Sequence, residues 1–96
     1  MKEVQNTEQE QPEMGTPEFM DMCIDARIKE VQGYQFNIEN YKLAIQHIEA
    51  NPEVAQRQGE FLAQLRELLG TELIQQERAQ IMLDVLLKRA KLKEVA

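Results

Sequence analysis

The sequence predicts an all-α protein, a long antiparallel helical hairpin with coiled-coil-like packing that dimerises into a four-helix bundle. Three observations predict it. Apolar residues recur every seven positions from Met20 onward, the spacing of a helix buried along one stripe. The same start signal, a capping residue, then Pro, then an acid, occurs twice, at Thr16-Pro17-Glu18 and at Asn51-Pro52-Glu53. Strand signals are missing: there is no alternating β-branched run and no Asn-Gly or Asp-Gly turn. With 96 residues and 11.2 kDa the chain holds one domain.

Residues 1–15, MKEVQNTEQEQPEMG, are rich in Glu and Gln. They carry too little apolar surface to offset the entropy of ordering. We read them as a disordered acidic tail and residues 16–96 as a single helical domain. The first helix spans residues 16–50. Thr16 caps it, Pro17 suits its first turn, and Glu18 answers its dipole. One apolar seam runs through Ile24, Val31, Ile38 and Ile45. A second runs through Met20, Tyr34, Tyr41 and Ile48, interrupted by Arg27.

Pro52 pushes Asn51 out of helical geometry, so the first helix ends near Ala50 and a turn at residues 51–52 folds the chain back. A second helix over residues 52–92 then lies antiparallel to the first. Counted from Asn51, this sets Tyr41 level with Phe61, Ile38 with Leu65, and Gly33 with Leu69-Gly70. Two glycines at one height would mark a soft spot or a close approach of helices. In the second helix Leu62, Leu69, Gln76, Leu83 and Ala90 lie seven apart, so the phase passes unbroken through Gly70. Leu69-Gly70-Thr71-Glu72 also reads as a stop followed by a new cap. A continuous helix is the main expectation. The alternative is a three-helix bundle with a break at Gly70-Thr71. Glu72 and Gln76 form a polar interruption expected to fix register. Acid–base pairs four apart occur at Asp25–Lys29, Glu53–Arg57 and Asp84–Lys88.

Residues 81–87 carry the main functional expectation. Ile81, Met82, Leu83, Val85, Leu86 and Leu87 make six of seven positions apolar. A helix apolar nearly all round must be covered nearly all round, and one neighbouring helix cannot do that. These six, with Tyr34 and Tyr41, are the expected oligomer and partner interface. The plainer reading of the tyrosines is as half-buried core aromatics.

Composition narrows the chemistry. There is no Ser or Trp, one His and one Cys, so no Ser nucleophile, zinc cluster or disulfide framework can be assembled. His47 lacks a glutamate three residues earlier and lies off both seams, which suits a solvated side chain. Cys23 reads as a small packing residue. No catalytic, cofactor-binding or metal-binding residues are expected, no cofactor, and no enzyme activity. A lone cysteine points to a reducing, cytoplasmic setting. No signal peptide is expected, and no apolar run approaches the ~20 residues that cross a bilayer.

The net charge is -6, unevenly spread: residues 1–22 carry -5, residues 23–50 carry -1, residues 51–87 carry -3 and residues 88–96 carry +3. Such a chain repels a polyanion, so neither nucleic acid nor membrane is an expected partner. Lys88, Arg89, Lys91 and Lys93 form the one candidate anion contact, although a basic cluster also suits a helix C-terminus. The expected function is therefore a non-enzymatic protein–protein interaction module. It would be an oligomeric adaptor, assembly or scaffold-type accessory protein, with itself and another protein as partners. The alternative is an acidic inhibitor that mimics nucleic acid and fills the basic groove of a nucleic-acid-handling protein, as small viral or mobile-element accessory proteins do.

Overall fold

The computed structural model describes residues 13–95, with side chains for residues 13–92. Of the expected tail over residues 1–15, residues 1–12 lie outside them. Three helices and no strands are found among the described residues: α1 (Pro17–Glu49), α2 (Pro52–Arg57) and α3 (Gly59–Val95). The molecule is elongated, 59 Å in its longest dimension.

The first two helices start as the sequence dictates. Residues 13–16 form a turn with Gly15 at φ 90°, a backbone region that suits glycine. Thr16 Oγ1 accepts a hydrogen bond from the Phe19 amide at 3.1 Å and donates to the Glu13 carbonyl at 2.7 Å. Pro17 follows in the first turn. Asn51, with extended backbone, repeats the arrangement and accepts from the Val54 amide. At the end of α1 the Ala50 amide donates back to the Gln46 carbonyl at 2.9 Å.

The expected single second helix is broken, and at a different place. Gln58 leaves helical geometry (φ -110°, ψ 33°), ending α2 and opening α3. Its amide donates to the Val54 carbonyl at 2.8 Å, and its carbonyl accepts from the Leu62 amide at 2.9 Å. The local backbone bonds are thus kept while the direction changes. The physical reason for the break lies in packing. Val54 and Ala55 on α2 turn in against the cluster of Ile48, Leu62 and Leu65, which the corner needs in order to close.

Gly70, the expected weak point, lies inside α3 without interruption. Thr71 does not act as a cap. Its hydroxyl donates to the Glu67 carbonyl one turn back, at 3.2 Å, a bond that belongs to a helix interior. The alternative with a break at Gly70-Thr71 is therefore corrected: the third helix comes from Gln58.

The corner also corrects the expected levels. Asn37 Nδ2 donates to Glu72 Oε1 at 3.0 Å. Residues 37 and 72 are equidistant from the midpoint between residues 54 and 55, the middle of α2, and not from Asn51. The seven residues 52–58 are used up in the corner. Gly33 is then level with residue 76 and not with Gly70. Neither glycine marks a close approach of helices, since a Cβ on either meets nothing within 4 Å.

Along α1 the inner seam reads Met20, Ile24, Arg27, Val31, Tyr34, Ile38, Tyr41, Ile45 and Ile48. On α3 it reads Leu62, Leu65, Leu69, Glu72, Gln76, Ala79, Leu83, Leu86 and Ala90. Every one of these is buried or half-buried, and the spacing alternates three and four throughout. The six buried side chains are Ile38, Ile48, Leu62, Leu65, Ala79 and Leu83, all on these seams. Two polar seam members are half-exposed and partnered: Arg27 pairs with Glu30 at 2.8 Å and Glu72 with Asn37. Of the three expected acid–base pairs only Asp25–Lys29 closes, at 3.2 Å. Asp84 accepts from Gln80 Nε2 at 3.0 Å instead, and the exposed ends of Glu53 and Arg57 stay apart. Glu49 pairs with Arg66 across the corner.

Because Gly33 and Gly70 have helical neighbours and open space, Gly33→Ala and Gly70→Ala should each stabilise the fold by about 0.5–1 kcal/mol. Thermal melts followed by circular dichroism should show a higher midpoint for each, and a larger gain for the pair.

Candidate interaction surface

Residues 81–87 divide between two surfaces. Leu83, 8% exposed, packs inward, and half-buried Leu86 lies on the same seam. Ile81, Met82, Val85 and Leu87 are exposed. The expectation that one neighbour cannot cover all six follows the geometry directly, since the hairpin encloses only one stripe of α3. Leu83 and Leu86 are therefore part of the hairpin's own core, and the outward surface consists of the other four.

Tyr34 and Tyr41 do not stand apart as a separate contact stripe. Both are half-buried on the inner seam of α1, and Tyr41 packs against the cluster of Ile48, Leu62 and Leu65. Lys88, Arg89 and Lys91 are exposed along the last turns of α3. The Lys93 side chain lies outside the described residues. His47 is exposed.

Two outward features were not anticipated. Phe36 and Leu43 are seven apart on α1 and are 64% and 62% exposed, more than any apolar residue expected to form the interface. They stand among the exposed amides of Gln32, Gln35, Asn37 and Asn40. On α3, Ile74 and Leu92 extend the exposed surface in both directions from residues 81–87. The seven-residue interval from Phe36 to Leu43 was the available signal. It was hidden because the inner seam accounts for so many apolar residues on its own.

Between the free ends of α1 and α3 lies a cleft of about 410 Å³ lined by Met14, Thr16, Phe19, Cys23, Leu86 and Arg89. Its walls are mainly apolar, with Arg89 at the edge. Cys23 is half-buried there beside the inner seam, in keeping with a packing role. Among the described residues no group of His, Cys, Asp and Glu side chains could hold a metal ion. No described helix is long and apolar enough to cross a membrane. These features define an elongated all-α hairpin whose outward apolar faces are its most distinctive surface. Comparison with protein-family models, curated proteins and solved structures gave no match for this chain.

The division into inward and outward apolar residues has a measurable consequence. Replacing both Phe36 and Leu43 by Gln should change the unfolding free energy by less than about 0.5 kcal/mol, because both side chains are mostly exposed. Ile38→Ala, at a site only 5% exposed, should cost about 2–4 kcal/mol. Urea unfolding at one fixed protein concentration compares the two.

Proposed function

We propose that this chain is a non-enzymatic helical interaction module that self-associates and acts by contact, as an adaptor, assembly or scaffold-type element. The observation that carries the reading is the exposure of Ile81, Met82, Val85 and Leu87 on one stretch of a helix whose other side is already packed. Four large apolar side chains grouped in this way are costly in water. Covering them with another helix removes that cost and builds a bundle of the kind that two hairpins form. The charge supports a protein partner over a polyanion, since the chain carries -6 overall.

Sedimentation velocity or light scattering at micromolar concentration tests this. The expected mass is at least twice the 11.2 kDa of the chain. Ile81→Lys with Val85→Lys should return the mass to that of one chain while helical content is kept, because both positions face outward. A wild-type chain that stays monomeric under these conditions would refute the reading.

A further inference from the structure

The outward face of α3 has an order of its own. Moving two residues on from the inner-seam positions turns about 200° round a helix. Applied to residues 72, 76, 79, 83, 86 and 90, this gives Ile74, Arg78, Ile81, Val85, Lys88 and Leu92. Their spacing is four, three, four, three, four, which is a second heptad seam. All six are exposed, the four apolar ones by 44% to 70%. The hairpin therefore has one coiled-coil seam occupied and a second, on the opposite side of α3, without a neighbour among the described residues.

This second seam reads the same in both directions: apolar, cation, apolar, apolar, cation, apolar. A contact between identical surfaces related by a two-fold axis requires that property when the helices run antiparallel. With the axis at the level of residue 83, Ile74 lies opposite the partner's Leu92 and Ile81 opposite the partner's Val85. Arg78 shares a layer with the partner's Lys88. On the border Glu77 faces the partner's Lys91, an arrangement made twice by the symmetry. Met82 meets its own copy at the axis.

Two contacts oppose this pairing. The Arg78 and Lys88 layers bring cations together, and Asp84 approaches its own copy near the axis. The long stems of Arg and Lys lie along apolar neighbours while their charged ends reach water, and Glu77 borders those layers. A parallel pairing retains both cation layers and sets Asp84 beside the partner's Arg89. It also stacks the two basic ends, Lys88 to Lys91, on each other and aligns the helix dipoles. The antiparallel pairing separates the basic ends and places each beside Glu77 of the other copy.

We propose that the partner of this face is a second copy of the chain, bound antiparallel along α3 with Glu77 paired to the partner's Lys91. This inference rests on the self-association reading above and assigns its face, direction and register. The test is the dimer dissociation constant of the full chain, measured by sedimentation equilibrium at low salt. Glu77→Lys and Lys91→Glu should each weaken the dimer by about tenfold, since each turns two attractive pairs into repulsive ones. The combined variant should return to within about threefold of the wild type. Within one helix the two positions are roughly 21 Å apart, so neither change can compensate the other inside a chain. If the wild type dimerises but the combined variant stays as weak as the single ones, the proposed pairing is overturned while self-association stands. A monomeric wild type overturns both. In a Cys23→Ala background, mixing Ile74→Cys with Leu92→Cys under mild oxidation should give the mixed disulfide. Predominance of like-with-like disulfides also overturns the pairing.

Discussion

Two helices lying side by side can hide only one stripe of each other, and the rest of this structure depends on that limit. The inner seams satisfy it closely: Met20 to Ile48 on α1 and Leu62 to Ala90 on α3 alternate three and four without a slip. Only six of the described side chains are buried, and none of them completely, because a core two helices wide has open edges throughout. No buried polar side chain is left without a partner among the described residues. Arg27, Glu72 and Gln76 can occupy the seam for the same reason, since water reaches each of them from the side. What the limit leaves over is apolar surface facing outward, and the proposed function rests on that surplus.

The corner sets how the two seams meet. Pro52–Arg57 forms a turn and a half of helix, held at its start by Asn51 and at its end by Gln58. Val54 and Ala55 fill the space where α1 and α3 diverge. The ion pair between Glu49 and Arg66 closes over them from outside. Further along, the hydrogen bond from Asn37 to Glu72 confirms the same alignment. A polar contact of this kind adds little stability at an exposed site, but it favours one alignment over its neighbours.

Much of this was legible in the sequence, and for local reasons. Thr16-Pro17 and Asn51-Pro52 act within three residues of themselves, so both helix starts fall where they were expected. The seams were legible because a repeat of seven survives whatever the partner is. The break at Gln58 was not, since neither Gln58 nor Gly59 carries a capping side chain and the signal lies in the distant packing of Val54 on Ile48. At Gly70 the unbroken apolar phase outweighed the local stop signal of Gly followed by Thr, and the helix continues there as the phase implies. For the outward surface, counting six apolar residues in seven located the right stretch without dividing it. The division needs the inner seam first, because Leu83 and Leu86 fall on it while Ile81 and Val85 do not. Phe36 and Leu43, seven apart, are masked in the same way by the apolar residues of the inner seam beside them.

The length of the corner has one more consequence. It holds seven residues, the same number as the repeat along both helices. Were α2 to straighten into α3 and the chain to turn tightly at Asn51, the long helices would slide by one full repeat and their greasy edges would still coincide. Hydrophobic matching is thus nearly blind to this slippage, which would part Asn37 from Glu72 and draw Gly33 alongside Gly70. The small bent segment acts as a pawl on a ratchet, choosing between two settings that the long rods themselves can hardly tell apart.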